Sequence, residues 1–211
     1  MPQKKNTFID LSHSITDNMP VHPYDGNVSL CQDKFLHKDK YNNFVLQTGM
    51  HAGTHIDTAM HLTESNRYIG QISLESFAGR GVLLDVRGEN EIMYRESYAD
   101  NVKQDDIVIL NTGFSEYYGT ENYYTDHPVV SEELSHFFVK KKIKMLGIDM
   151  PSPDRYPFEI HKKLFSADIH IIENMTNLSE LLSVVQFEVF AFPLKIMSEA
   201  SPARVVARIV N

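Results

Sequence analysis

The chain is 211 residues long, 42% hydrophobic and 23% charged, the proportions of one globular domain spanning residues 1–211 with a sizeable core. Its 28 acids against 20 bases leave a net charge of −8, so no basic field exists to displace counterions from phosphate, which argues against a nucleic-acid partner. No window approaches about 18 consecutive apolar residues, which excludes a membrane-spanning helix.

In chain order, period-two or continuous apolar patterns predict strands at 8–12, 43–57, 81–85, 107–111, 145–149, 169–173, 187–193 and 203–210. Helical patterns are fewer: a short one at 74–77, then 131–142, 158–166 and 179–182. The helix at 131–142 opens on Ser131-Glu-Glu and closes on Lys140-Lys-Lys142. Acids at its start and bases at its end suit the helix dipole, so the lysine run reads as a helix end and not as a phosphate-binding patch. Crossover-length connections between several strands, with strand-on-strand pairing towards the chain ends, indicate an α/β protein with mixed β-sheets and flanking helices.

Two further features stand out. The segment 111–127 is long, aromatic and without periodicity, which is unusual for a structureless connection. It is expected near the site or a subunit contact, with Tyr117, Tyr118, Tyr123 and Tyr124 as a pocket wall or a packed loop. A single cysteine, Cys31, rules out an internal disulfide and is read as a small packed residue. With no apolar stretch at residues 1–7 long enough for a secretory signal, the expected compartment is the cytoplasm.

The most informative segment is His51-Ala-Gly-Thr-His55-Ile-Asp57-Thr-Ala-Met-His61, with three imidazoles and one carboxylate in eleven residues. Imidazole and carboxylate are the ligands of divalent zinc, manganese or iron, and no thiolate is needed. His51, Gly53, His55, Asp57 and His61 share one sequence parity, opposite to Leu46, Thr48, Met50, Ala52, Thr54 and Ile56. A strand would therefore aim the polar set into a cleft and bury the other. On a helix, His51 and His55 would share a face but Asp57 would project from nearly the opposite side. Gly53 within the run suggests a bulge or a close backbone approach. Beyond Asp57 the chain is expected to turn, returning His61 to the site. Spacing leaves His61 either a third ligand or a general acid/base, whose unperturbed pKa of about 6.5 suits neutral pH.

The pattern His-x-Gly-Thr-His-x-Asp-x-x-x-His resembles the signature of the cyclase family of metal-dependent hydrolases, in which kynurenine formamidase is the best characterised activity. The resemblance extends over most of the chain. Phe8-Ile-Asp-Leu-Ser12, Met19-Pro-Val-His-Pro23, Asn111-Thr-Gly-Phe114, Gly147-Ile-Asp-Met-Pro-Ser-Pro153 and Ile172-Glu-Asn174 are similar to family blocks in the same order. It implies a swivelling β/β/α fold, a small-molecule substrate and a homodimer or larger assembly. It also implies two divalent metal ions, zinc with manganese as an alternative. One would be held by His51, His55 and Asp57, the second by a bridging Asp57 with His161 and Glu173. Two such ions activate water and polarise a carbonyl. An imidazole must then protonate the departing nitrogen, and His61 is the residue the resemblance leaves for that role.

The chain departs from the formamidases in its early Pro-Val-x-Pro loop. Where those enzymes carry a tryptophan against the substrate ring, this chain has His22, and it contains no tryptophan anywhere. His22 is thus the expected substrate contact, with Tyr24 or Tyr41 as substitutes. Hydrolysis of N-formyl-L-kynurenine stands beside hydrolysis of another amide, a lactam such as isatin, or an ester. A non-catalytic metal-binding protein would use four closed ligands and leave no spare base, and His61 argues against it.

Overall fold

A computed structural model describes residues 7–210. In chain order the elements are β1 (Phe8–Asp10), β2 (Ser29–Lys34), α1 (Leu36–Asp39), β3 (Asn43–Gln47), β4 (His55–Asp57), β5 (Ala78–Asp85), β6 (Glu91–Ile92), α2 (Tyr98–Asn101), β7 (Ile107–Asn111), α3 (Glu121–Thr125), β8 (Val129–Val130), α4 (Glu132–Lys141), β9 (Met145–Ile148), α5 (Glu159–Ser166), β10 (His170–Glu173), β11 (Phe187–Pro193) and β12 (Ala200–Ile209). The expected segments 74–77 and 179–182 appear as 3₁₀ turns at Leu74–Phe77 and Leu178–Leu181.

β5, β7, β9 and β10 run parallel. Every residue of β7, β9 and β10 is buried, as expected of parallel strands covered on both faces, which read as continuous apolar runs. β11 and β12 join on one side and β4 on the other, all antiparallel, and β12 also pairs with β4. The sheet therefore closes on itself through seven strands, with β1 added outside on β12.

Alternation along the strands divides the apolar residues in two. Ile107 and Ile109 join Ile56, Met145, Ile172, Val189 and Val205 in one cluster fed by strands all round the ring, which is the interior of the closed sheet. Val108 and Leu110 point the other way and pack with Leu134 and Phe138 of α4 and Leu164 and Phe165 of α5. α4 starts where its cap predicts, because the Ser131 hydroxyl accepts from the Leu134 backbone N–H at 3.2 Å and the acids and lysines occupy its first and last turns.

The expected strand at 43–57 is two strands in different sheets. Residues 43–47 pair only with β2, in a two-stranded arm standing off the barrel, and every residue of β3 is exposed. Leu46 therefore does not belong to a half-buried face. Only the later part, Ala52, Thr54 and Ile56, is buried as the parity required. β3 ends at Gln47, and the turn that follows holds Gly53 at a φ of +63°, which an L side chain rarely adopts and where a Cβ would lie 2.9 Å from the Met19 methyl. Cys31, expected to be packed, is exposed on the same arm, because a lone two-stranded ribbon has no layer above it.

Candidate metal centre

The site assembles where β4 closes the barrel. Between β10 and β4 the register places Glu173 opposite His55, and between β12 and β4 it places Ala200 opposite Asp57. His55 and Asp57 are two residues apart and lie on one face of β4. Their side chains are 1% exposed.

Each imidazole except one is held from behind by an acceptor. His55 Nδ1 lies 2.8 Å from the Gly53 carbonyl. A carbonyl only accepts, so Nδ1 carries a proton and Nε2 is the nitrogen left to face the centre. It lies 3.3 Å from Asp57 Oδ1 and 3.4 Å from Glu173 Oε2. His161, on α5, places Nδ1 2.6 Å from Asp154 Oδ1 and Nε2 3.2 Å from Glu173 Oε1. Asp154 Oδ2 also accepts from the backbone N–H of Ile160 at 2.6 Å, so one carboxylate anchors both the His161 ring and the start of its helix. His51, in the turn before β4, places Nδ1 3.0 Å from Asp57 Oδ1 and Nε2 3.3 Å from Glu199 Oε1. His61 differs. It ends the 3₁₀ turn Ala59–His61, its Nε2 is 3.9 Å from Asp57 Oδ2, and its ring centroid is 4.4 Å from that of His51.

His51, His55, Glu173 and His61 thus gather round Asp57, with His161 behind Glu173, but in a different partition from the expected one. One group of mutually close ligand atoms comes from His51, Asp57 and His61, the other from His55, Asp57 and Glu173. Asp57 is shared, as a bridging carboxylate would be, while Glu173 stands beside His55 and His161 touches the site through Glu173.

The polar atoms fit a cation. His55 Nε2, Asp57 Oδ1 and Glu173 Oε1 are buried with no hydrogen-bond partner among the described residues. An imidazole nitrogen and two carboxylate oxygens aimed at each other call for positive charge between them, from a proton or a cation. The titration of the neighbours agrees. Burial works to lower His51, yet Asp57, Glu173 and Glu199 raise it to about 9. His161 rises to about 10 against burial, through its hydrogen bond to Asp154 and the negative charge of Glu173. Asp57 is held well below the usual carboxylate range because the surrounding imidazoles outweigh its burial. His61 alone is lowered, by burial and then by His51 and His161, against the pull of Asp57 and Glu173.

Above these residues lies a cavity of about 200 Å³, lined on its apolar side by Val21, Leu62, Tyr118, Tyr124 and Phe158. His22 sits at its exposed rim, edge-on to Tyr124 at 5.6 Å between centroids. The tyrosine segment takes three roles. Tyr118 stacks on His13 at 3.8 Å and donates to the Pro20 carbonyl at 2.9 Å, tying the rim loop down. Tyr123 is fully buried and donates to Asn174 Oδ1 at 2.7 Å. Tyr117 is half exposed and does not line the cavity.

Sequence reasoning missed Asp154 and Glu199. Asp154 had a signal, an aspartate shortly before an apolar helical run. Glu199 had none, since only the β12–β4 seam brings it near His51.

A family model described as "Putative cyclase" matches residues 9–155. Over 97% of this chain and 99% of its own length, the kynurenine formamidase of Bacillus cytotoxicus is 25% identical. The isatin hydrolase A of Labrenzia aggregata, bound to benzyl benzoate, superposes with a TM-score of 0.84 at 21% identity, covering 97% of this chain and 94% of that one. A "predicted metal-dependent hydrolase from Bacillus stearothermophilus" gives 0.76 at 24% identity, covering 95% and 97%. The closed mixed sheet is thus a fold shared with these proteins, and the chain belongs to the cyclase family of hydrolases.

Proposed function

We propose that the protein is a metal-dependent amide hydrolase whose substrate is N-formyl-L-kynurenine, cleaved to L-kynurenine and formate. The observation that carries this reading is the convergence of buried, unpartnered His55, Asp57 and Glu173 atoms beneath an open cavity. His51, His55, Asp57, His161 and Glu173 would hold two divalent ions, zinc or manganese, with Asp57 shared. Bound there, the ions supply an activated water and an electrophile for the substrate carbonyl.

The remaining chemistry belongs to the chain. His61 borders the cavity beside the Asp57 carboxylate, with no acceptor fixing the far side of its ring among the described residues. It is placed to take a proton from the attacking water and return it to the departing nitrogen. The apolar wall suits an aromatic ring, and His22 and Tyr124 at the rim flank its outer edge.

A second reading has its own support. No lysine or arginine lines the cavity among the described residues, and His22 stands where formamidases carry tryptophan. An uncharged lactam of the isatin type, which needs no partner for an amino-acid carboxylate, is favoured by that lining.

The deciding assay follows absorbance during hydrolysis of N-formyl-L-kynurenine and of isatin, before and after chelation and after zinc or manganese is added back. Rapid, metal-restored cleavage of the formamide supports the first reading, and preference for isatin the second. Chelator-insensitive turnover, or none on either compound by metal-loaded protein, overturns the assignment.

A further inference from the structure

Resting on the metal reading, we propose that Glu199 is a positioning residue: it holds the His51 ring with Nδ1 turned to Asp57, and so sets the affinity for the ion His51 binds. His55 and His161 face the centre through Nε2 because their Nδ1 atoms are held by the Gly53 carbonyl and by Asp154. His51 faces it the other way round, through Nδ1, and Glu199 Oε1 is what meets its Nε2, at 3.3 Å.

His51 needs such a support more than the others. It sits in a turn and not on a strand or helix, and its side chain is 22% exposed against 1% and 4% for His55 and His161. A ring turn about its Cβ–Cγ bond would carry the ligating nitrogen away from Asp57.

Glu199 is built into its place. Its backbone carbonyl accepts from both the N–H and the hydroxyl of Thr58, at 3.2 and 2.7 Å, which ties residue 199 to the residue after Asp57. Its carboxylate is then oriented by the Ser198 hydroxyl, which donates to Oε2 at 2.6 Å and leaves Oε1 for His51. A carboxylate behind a ligating imidazole fixes the tautomer and strengthens the ligand, and loss of such a partner typically costs about 10–100-fold in metal affinity. The bland alternative is a half-exposed surface pair that contributes almost nothing.

The Thr58 bonds go to the Glu199 backbone, so truncating the side chain leaves the seam intact. The full-length protein, Glu199→Gln and Glu199→Ala are stripped of metal and titrated with Co²⁺ alone, following its visible absorption and competition with a chromophoric chelator. Apo melting temperatures are recorded beside them. The expected result is two ions in the wild type. In Glu199→Ala one of them is bound roughly 10–100-fold more weakly, Glu199→Gln is intermediate because its amide oxygen still accepts, and all three melt alike. Two ions bound by Glu199→Ala with wild-type affinity would overturn the proposal while leaving the two-metal reading standing. A wild type that binds no Co²⁺ overturns both.

Discussion

Glu173 stands directly opposite His55 across the antiparallel pair of β10 and β4, its Oε2 3.4 Å from His55 Nε2 and its Oε1 3.2 Å from His161 Nε2. One carboxylate thus spans a strand residue and a helix residue more than a hundred positions apart. Glu173→Gln keeps the shape but removes the charge that both imidazoles face. Metal content measured after dialysis should fall by at least one equivalent per chain, and hydrolysis by more than the roughly 10–100-fold that loss of an outer partner costs. Full metal retention in the variant would remove Glu173 from the ligand set.

His61 should separate from the ligands by its phenotype. His61→Ala is expected to keep the wild-type metal content while turnover drops by about 10²–10⁴-fold, the usual contribution of a positioned acid/base. Loss of an ion together with turnover would make it the third ligand that its grouping with His51 and Asp57 allows.

Asp154→Ala should differ from Glu199→Ala in affecting stability. Asp154 accepts from the Ile160 N–H as well as from His161, so its removal also uncaps α5, at a cost of about 0.5–2 kcal/mol. Urea denaturation of the apo protein should show that loss, with metal affinity falling in the same variant. An unchanged unfolding midpoint would mean that the helix start does not depend on this carboxylate.

His170 gives a pH dependence away from the metal centre. Burial lowers its pKa from the ordinary 6.5 to about 4, while the Asp168 charge opposes the shift and Arg67 adds to it. Its Nδ1 is buried without a partner among the described residues. The folded pKa is below the unfolded one, so between pH 6.5 and 4 the unfolded chain binds the proton and the native chain does not. The stability at stake is fully present above about pH 6.5 and is lost as pH falls towards 4, on the order of 3 kcal/mol for this one group. In the presence of chelator, His170→Phe should lose less stability than wild type between pH 7 and 4. Parallel stability curves would show that His170 does not drive the difference.

How much of this was legible beforehand depended on whether a feature is local. β7 and β11 were readable to the residue, β7 as an apolar run bounded by turns and buried throughout, β11 as an alternation that buries Phe187, Val189 and Ala191 and turns Glu188, Phe190 and Phe192 outward. The ends of α4 followed from its own cap and charges. His51, His55, Asp57 and His61 were readable as candidate ligands, a dense set of imidazole and carboxylate, and His55 and Asp57 do share a face of β4.

The single strand at 43–57 was not a correct reading, because parity carries an alternating pattern past Gln47, where β3 ends, into a turn that holds Gly53 at positive φ. By itself, then, the sequence determined the chemistry available, the family pattern and the elements whose signals are local. Only the tertiary structure decided that β4 is wedged between β10 and β12, that Asp154 and Glu199 stand behind His161 and His51, and that His61 has no such support among the described residues. Those relations come from strand pairings between residues far apart in the chain, where the free energy of closing the barrel, and not any local preference, sets which side chains meet.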